Sequence, residues 1–298
     1  MSDPAVEVAA HQESLTRLTS NTGPIRKDAP TATKAHELWT RNGKPTSARI
    51  MVRRAIGDSI RAQYSGALAD RQAIVLVGAP ASGKSTVLRT MIEPNRSDWI
   101  VVDADEIKDL LLEEAVRDGS YNQIVPAEVR ALEGDGERFF PREFAALVHA
   151  ESVVIADWLR QEAIAAGLNL VIDGVLADPI EAEELGAQLA VAGYTINEVQ
   201  LEICENVSIE RMLQRWSKGY VNALAVGGLG GRWVPPSYIG TLYKPGSTQS
   251  RCYESSEHLA QVCGAVATFT RYDVPQPINF RLTGKWRRVR PDEPLRRI

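Results

Sequence analysis

The segment VLVGAPASGKSTVLRTM, from Val75 to Met91, contains the pattern that decides the fold. Its residues 78–85, GAPASGKS, match the phosphate-binding pattern G-x-x-x-x-G-K-[ST] without a gap. The apolar run AIVLVG, which leads into the glycines, is typical of a buried strand, and STVLRTM is typical of a helix. A phosphate-binding loop requires this order of strand, glycine-rich turn and helix. The segment therefore predicts a nucleoside triphosphate site.

Each residue type in this loop has a chemical reason. Glycines let backbone N–H groups face a phosphate, and the N-terminus of the following helix favours an anion. Lys84 can reach the β- and γ-phosphates, and Ser85 supplies a hydroxyl for Mg²⁺. A turn that merely joins a strand to a helix would need neither side chain. The predicted cofactor-binding residues are Gly78, Ala79, Pro80, Ala81, Ser82, Gly83, Lys84, Ser85 and Thr86.

Strand and helix patterns alternate through the rest of the chain. Further apolar strand patterns occur in DWIVVD, LNLVIDG and YTINEVQLEIC, and each is followed by a helical pattern. Another helix is predicted from Pro141 to Ala166, with Gly167 as its C-terminal cap. This alternation predicts an α/β fold of the P-loop NTPase type, with a parallel sheet covered by helices on both faces. An amphipathic helix over residues 48–69 forms a helical N-terminal extension of it.

The domain organisation follows from the same patterns. Residues 1–45 are polar and interrupted by prolines, which predicts a loosely ordered arm. Residues 46–275 are predicted to form the P-loop domain, with a lid around residues 211–240. Residues 276–298 are rich in arginine and are predicted to form a basic C-terminal tail.

Composition excludes several classes of protein. The 298 residues carry a net charge of −4, so nucleic acid is not the default partner, although the basic tail favours such a contact. The three cysteines have no metal-ligand spacing and indicate no disulfide framework. Because no apolar run is long enough to cross a membrane and no signal peptide is recognisable, we expect a cytoplasmic protein without a membrane partner.

Acidic residues at two predicted strand ends distinguish a kinase from a nucleotide-driven switch. The tetrapeptide N-K-x-D of guanine-specific switches does not occur in the sequence. Asp105 follows the strand in VVDADEIK and is the candidate base for an acceptor hydroxyl, although an acidic residue also suits the first turn of a helix. Asp173 ends the strand in LNLVIDG and is the candidate Mg²⁺ ligand, or else caps the next turn.

Arginines flank a glycine-rich segment, as in a closing lid that stabilises a transferred phosphoryl group. Arg211 and Arg215 precede the glycines of AVGGLGG, and Arg232 follows them directly. Arg211 and Arg232 are the candidate catalytic arginines, with Arg215 as the alternative to Arg211. His149 and Glu151 lie on a predicted helix, where they either form a partly exposed face or bind the acceptor.

Together, these motifs resemble the zeta-toxin family of P-loop kinases, the toxic partners in epsilon/zeta-type toxin–antitoxin systems. The resemblance is carried by VGAPASGKST, VVDADEIK, VHAESVVIADWLRQEAIAAGLNLVIDG and IERMLQRW…GGRWVPPSYI, within residues 72–240. It implies ATP-dependent phosphorylation of the 3′-hydroxyl of the amino sugar in UDP-N-acetylglucosamine. It also implies that Lys84 binds the phosphates, that Asp105 activates the hydroxyl, and that Arg211 and Arg232 stabilise the transferred group.

The resemblance further implies an antitoxin protein as a partner that blocks the nucleotide site. One departure concerns the acceptor, because Val175 stands where the family often has a threonine. We therefore predict an ATP- and Mg²⁺-dependent kinase acting on a small-molecule acceptor, a UDP-amino sugar. The alternatives are a P-loop kinase for a nucleoside, a nucleic-acid 5′-hydroxyl or an antibiotic, and a non-catalytic nucleotide-binding switch.

Overall fold

The apolar runs of the sequence form a central sheet in the computed structural model, which describes residues 4–275 and 279–298. Within these ranges, the strands are β1 (Thr40–Arg41), β2 (Lys44–Pro45), β3 (Gln72–Val77), β4 (Ile100–Val102), β5 (Leu170–Gly174), β6 (Thr195–Glu202), β7 (Val266–Asp273), β8 (Arg281–Arg287) and β9 (Arg296–Arg297). β1 and β2 form a small hairpin, and the order of strands in the central sheet is β4-β5-β3-β6-β7-β8-β9.

The helices account for most of the remaining described chain. The α-helices are α1 (Pro4–Leu18), α2 (Ser47–Gln63), α3 (Lys84–Ile92), α4 (Ala104–Asp118), α5 (Tyr121–Ile124), α6 (Ala127–Gly134), α7 (His149–Ala165), α8 (Pro179–Val191), α9 (Glu205–Val226), α10 (Pro236–Thr241) and α11 (Arg251–Val262). Two 3₁₀ helices, Glu93–Asp98 and Pro141–Val148, complete them. In the described part of the chain, no helix has the length and apolar character needed to span a membrane.

The chain divides into two compact units. The helical unit consists of Met1–Ile60, Ala104–Asp157 and Met212–Ser237. The sheet unit consists of Arg61–Asp103, Trp158–Arg211 and Tyr238–Ile298, and it contains the central sheet.

Five strands of the sheet unit are parallel, which confirms the predicted α/β fold class. β3 lies between β5 and β6 and pairs in parallel with both, and every residue from Ala73 to Val77 is buried. Helices α8 and α11 pack against each other and against β6, while α3 packs against β3. A strand buried on both faces needs a continuous apolar sequence, and AIVLV provides it.

The predicted basic tail is wrong for the residues that the structure describes. β8 pairs antiparallel with β7, and β9 pairs antiparallel with β8, so the last arginines belong to the sheet. Trp286 of β8 stacks on Phe269 of β7, with ring centroids 5.1 Å apart. Arg288 is buried and donates hydrogen bonds to the carbonyls of Cys263 and Ala260. The first residues of the predicted tail, 276–278, lie outside the described residues.

The predicted loose arm is also wrong from residue 4 onward. Within residues 4–45, α1 is a helix of 15 residues, and its His11, Leu15 and Leu18 are at most 1% exposed. The chain after α1 buries Ile25 and Ala32 in the same helical unit. These buried groups offset the entropy of ordering a polar, proline-containing segment. The segment is thus part of the helical unit.

The helix predicted from Pro141 to Ala166 is divided into two parts. Pro141–Val148 is a 3₁₀ helix, and α7 continues from His149 to Ala165. The 3₁₀ helix packs on α4 and buries Glu143, Phe144 and Leu147. The apolar face was therefore predicted correctly, but the periodicity did not reveal the tighter first part.

Candidate active site

The phosphate-binding loop of the sheet unit has the backbone that its sequence predicts. Gly83 immediately precedes α3 and has φ +91°, a conformation that residues with a Cβ rarely adopt. A Cβ on Gly83 would also lie 2.8 Å from ring atoms of Phe280. Ala81 has φ +59° as well, which makes the turn before the helix tight. The loop therefore needs glycine at Gly83 both for its backbone angle and for space.

The first glycine of the loop is needed for close packing. A Cβ on Gly78 would lie 2.7 Å from the carbonyl oxygen of Leu201 and 2.8 Å from Ser82 Oγ. Ser82 is fully buried, and its Oγ has no hydrogen-bond partner among the described residues. On the other side, Ser208 of α9 donates to the Pro80 carbonyl at 2.7 Å. These contacts fix the path of the loop between β3 and α3.

Lys84 and Asp173 lie together at the ends of neighbouring strands. Lys84 Nζ donates to the Gly78 carbonyl at 2.8 Å and lies 3.7 Å from Asp173 Oδ1. The two side chains are 13% and 14% exposed. The register of β3 and β5 places Leu76 beside Asp173, so parallel pairing brings this carboxylate to the loop. Lys84 and Asp173 thus lie at the same edge of the sheet.

Oxygen donors in the same unit have the chemistry of a magnesium site. The Ser85 hydroxyl and the Asp173 carboxylate are hard donors, as Mg²⁺ prefers. Among the described residues, no group of three His, Cys, Asp or Glu side chains is arranged to hold a metal ion. Mg²⁺ in phosphoryl-transfer sites is held by one or two protein groups together with substrate phosphates, so Ser85 and Asp173 fit that role.

Asp105 and Arg232 form the second cluster of predicted site residues, and it lies in the helical unit. Arg232 Nη1 is 2.7 Å from Asp105 Oδ2, and Arg232 Nη2 donates to the Asp105 backbone carbonyl at 2.8 Å. Lys108, one turn along α4, donates to Asp105 Oδ1 at 2.9 Å. Asp105 is about half exposed, whereas the Arg232 side chain is 13% exposed. The carboxylate is therefore ionised, hydrogen-bonded and still open to solvent.

The charges in this cluster shift the titration of both groups. Burial opposes ionisation of Asp105, but Lys108 and Arg232 outweigh it and lower the pKa of its carboxyl well below the usual range. Burial likewise opposes the charge on Arg232, and the carboxylates of Asp105 and Asp109 outweigh it and raise the pKa of Arg232. Both groups are consequently charged at neutral pH.

Two residues that hold this pair, Asp109 and Arg142, were not predicted in that role. Asp109 Oδ1 is 2.7 Å from Arg232 Nη2, so Arg232 binds two carboxylates of α4. Arg142 binds Asp109 in turn, with Nε–Oδ1 and Nη2–Oδ2 distances of 3.1 and 3.0 Å. A detectable signal existed, because Asp105 and Asp109 have the i, i+4 spacing that places side chains on one helix face. No sequence spacing connects Arg142 to α4.

The other predicted arginines have different environments. Arg211 belongs to the sheet unit, where Nη2 donates to the Pro275 carbonyl at 2.8 Å. Burial lowers the pKa of its guanidinium, an effect only partly offset by Glu210. Arg215 is exposed on the same helix, α9. The hydrogen bond to the chain after β7 distinguishes Arg211 from Arg215.

The glycines before Arg232 differ among themselves. Gly227 and Gly228 have positive φ, and a Cβ on either would meet no atom within 4 Å. A Cβ on Gly230 would lie 2.4 Å from Phe140 Cβ, and one on Gly231 would lie 2.0 Å from the Trp216 carbonyl oxygen. The first two glycines provide backbone freedom, whereas the last two allow close packing beside Arg232.

His149 and Glu151 have separate environments in the helical unit. Glu151 is 1% exposed and forms ion pairs with Arg49 and Arg53, which supports a structural role. Burial, assisted by Lys108 and Lys27, lowers the pKa of His149 to about 4, against the opposing effect of Asp105. His149 is thus a neutral imidazole at pH 7, and the charges of Lys108 and Asp105 affect its pKa.

A parallel sheet, a phosphate-binding loop after β3 and an acidic strand end beside its lysine define an α/β protein of the P-loop class. The zeta toxin family model matches residues 59–263. The chain belongs to the zeta toxin family. Residues 4–58, which include α1, and the strands β7, β8 and β9 lie outside the matched region.

Solved structures of low sequence identity have the same fold. One, from work on the PezAT chromosomal toxin–antitoxin system of the human pathogen Streptococcus pneumoniae, is 16% identical, with a TM-score of 0.52 and 80% of each chain covered. The native AvrRxo1-ORF1:-ORF2 complex is 14% identical, with a TM-score of 0.54, and covers 86% of this chain and 72% of the other. Another AvrRxo1-ORF1:-ORF2 structure, with ATP, is 13% identical, with a TM-score of 0.51 and coverages of 82% and 68%. No curated protein matches the sequence.

Proposed function

We propose that this chain is a kinase that transfers the γ-phosphoryl group of ATP to a hydroxyl of a small acceptor, the 3′-hydroxyl of the amino sugar in UDP-N-acetylglucosamine. The observation that carries the kinase proposal is the position of Lys84 in the phosphate-binding loop, 3.7 Å from Asp173 at the end of β5. Membership of the zeta toxin family supports the choice of acceptor. The resulting loss of a cell-wall precursor would inhibit growth.

At the nucleotide end, the chain supplies positive charge and backbone donors. Residues Gly78–Thr86 enclose the β- and γ-phosphates, and Lys84 exchanges its bond to the Gly78 carbonyl for a phosphate oxygen. Ser85 and Asp173 would hold Mg²⁺, and the ion would supply positive charge against the phosphates. Arg211 and Arg232 stabilise the charge on the transferred group, a contribution worth on the order of 10³-fold in rate or more.

At the acceptor end, Asp105 orients the hydroxyl and accepts its proton. The oxygen of the hydroxyl then forms a bond to the γ-phosphorus while the bond to ADP breaks. A carboxylate with a lowered pKa suits a loose transition state, because the proton is lost late and little basicity is needed early.

An antitoxin protein is the proposed partner. One of the similar structures comes from work on a toxin–antitoxin system, and another is a complex of two different proteins. A protein that covers the nucleotide site would prevent phosphoryl transfer, since catalysis in this class depends on bound nucleotide. The chain itself is proposed to act in the cytoplasm, where UDP-sugars are made.

The test is ATP consumption by the purified protein with a panel of acceptors. The panel contains UDP-N-acetylglucosamine, other UDP-sugars, nucleosides, an aminoglycoside and an oligonucleotide with a 5′-hydroxyl. We expect ADP formation that depends on UDP-N-acetylglucosamine and is lost in Lys84→Ala. ADP formation that depends on another panel member would support the kinase proposal and overturn UDP-N-acetylglucosamine as the acceptor. ATP binding without consumption in any reaction would overturn the kinase proposal.

A further inference from the structure

The N-terminal helix is joined to the helical unit by a buried polar cluster. His11 of α1 is 1% exposed, with Nδ1 2.6 Å from Glu137 Oε1 and Nε2 3.0 Å from Glu143 Oε1. Its ring stacks on Tyr220 of α9, with centroids 4.4 Å apart. Because both ring nitrogens face carboxylates, the imidazolium is the form that satisfies both hydrogen bonds. Such a cluster fixes the orientation of α1 within the helical unit, which apolar contacts alone would not specify.

Glu143 connects this cluster to α9 and to the start of the 3₁₀ helix. Besides His11, its Oε1 accepts a hydrogen bond from Trp216 Nε1 at 2.9 Å, and its Oε2 accepts one from the Phe140 amide at 2.9 Å. Glu143 is 1% exposed, so each of these bonds is shielded from water. His11 therefore holds the carboxylate that positions Phe140 and Trp216.

Phe140 and Trp216 pack against Gly230 and Gly231, which directly precede Arg232. Gly230 packs on Phe140 and Gly231 on the backbone of Trp216, each too closely for a Cβ. Just before these glycines, the Leu229 carbonyl accepts a hydrogen bond from the Arg142 amide at 2.9 Å. A shift of Glu143 would therefore be passed to residues 229–231, immediately before the arginine.

A second contact joins α1 to the other side of Arg232. Trp233 Nε1 donates to Thr19 Oγ1 at 3.0 Å, and both residues are buried. Thr19 follows α1 directly and is itself held through a hydrogen bond from Oγ1 to the Leu15 carbonyl at 2.7 Å. The N-terminal segment is thus connected to both sides of Arg232. His11 acts through Glu143 on the residues before Arg232, and Thr19 bonds to Trp233 directly after it.

We propose that His11 and Thr19 are positioning residues for Arg232, so that residues 4–19, outside the region matched by the family model, complete the phosphoryl-transfer site. This inference rests on the proposed kinase function for its effect on rate. Its structural part, that α1 orders residues 227–233, does not depend on any activity. The two parts are tested separately.

The structural part is tested by hydrogen exchange measured by mass spectrometry on the full chain. Thr19→Val removes the acceptor for Trp233 with little change in shape. Thr16→Val is the matched control, because Thr16 is exposed on the last turn of α1, three residues earlier, and bonds only to the Gln12 carbonyl among the described residues. We expect faster exchange in residues 227–233 for Thr19→Val and His11→Ala, with no change in residues 75–92. Thr19→Ser should restore slow exchange. Unchanged exchange in both variants would overturn the proposal.

The catalytic part is tested by a double-mutant cycle. Thr19→Val should lower kcat by about 10-fold or more, a size that small misplacement of a catalytic group can produce, while KM for ATP stays within about 2-fold. In an Arg232→Ala background, the same substitution should change kcat by less than about 2-fold, because the group it positions is gone. An equal loss in both backgrounds would contradict positioning through Arg232. If the variants show faster hydrogen exchange but the parent protein phosphorylates no acceptor, the kinase proposal is wrong and the ordering of residues 227–233 by α1 still holds.

Discussion

Replacement of Glu151 by glutamine separates the structural role of this residue from acceptor binding. Glu151 is 1% exposed, and its Oε1 and Oε2 accept hydrogen bonds from Arg49 at 2.7 and 2.5 Å. Arg53 adds a third bond at 2.7 Å. Glu151→Gln leaves the volume of the side chain almost unchanged but leaves two guanidinium groups without their anion. We therefore expect a loss of stability and no direct effect on the acceptor site.

The size of the loss follows from burial. Removing one partner of a buried ion pair costs about 3–5 kcal/mol, because the other charge stays out of water. Arg49 is 2% exposed and bears this cost fully, whereas Arg53 is 19% exposed and is partly hydrated. We therefore expect Glu151→Gln to lower the free energy of unfolding by about 3–4 kcal/mol. At roughly 2 °C per kcal/mol for a chain of this size, the melting temperature should fall by about 6–8 °C.

Thermal unfolding followed by circular dichroism measures this change. The matched control is Glu133→Gln in the same helical unit, since Glu133 is 27% exposed and pairs with Arg130, which is 41% exposed. Such a surface pair is worth about 0–1 kcal/mol, so the control should melt within about 2 °C of the parent. An unchanged melting temperature for Glu151→Gln, together with a raised KM for the acceptor, would refute the structural assignment and favour substrate binding.

Three further predictions concern the charged groups of the two units. Lys84→Ala should abolish phosphoryl transfer and weaken ATP binding in a calorimetric titration, and full activity would remove the loop from the mechanism. Arg232→Ala should lower kcat by about 10³-fold with a smaller change in KM for ATP, so an effect on KM alone would count against charge stabilisation. Burial opposes the charge of His11, but Glu143 and Glu137 outweigh it and raise its pKa above 6.5. The difference in melting temperature between wild type and His11→Gln should therefore be largest below pH 6.5 and should disappear as the pH rises through the folded-state pKa of His11. A difference that grows with pH would contradict a charged imidazolium in the folded protein.

Strands β3, β4 and β5 were predictable because each contains a run of apolar residues that is buried in the sheet. β6 was predicted as well, although its apolar residues Ile196, Val199 and Leu201 are separated by polar ones. β7 and β8 were missed. In VATFTRYD, apolar and polar residues are mixed, and RLTGKWR carries three basic residues in seven. Both strands take part in the antiparallel pairing near one edge of the sheet, where they are only partly buried, so their sequences resemble those of exposed segments.

The N-terminal segment shows why composition is a poor guide to order. Its polarity and prolines indicated a loose arm, but His11, Leu15 and Leu18 are buried. The partners of His11 belong to α9 and to the segment Glu137–Glu143. Those partners lie more than a hundred residues away in sequence. Only the folded chain brings them together.

The candidate site was predictable where one motif contains the chemistry. Lys84 and Asp173 follow from the phosphate-binding pattern and from the pairing of parallel strands, and Asp105 from its place after β4. Arg142 was not predictable in its observed role, because it acts through Asp109, and no local spacing relates the two.

The most direct test of the central proposal is the mass of UDP-N-acetylglucosamine after incubation with ATP, Mg²⁺ and the purified protein. The proposal predicts one added phosphate, formed at least about 10²-fold more slowly by Asp105→Asn, which should bind ATP as tightly as the parent. Position 3′ of the amino sugar should carry the new group. An unmodified sugar nucleotide with the active parent protein would contradict the acceptor, and equal rates for the two proteins would contradict the role of Asp105.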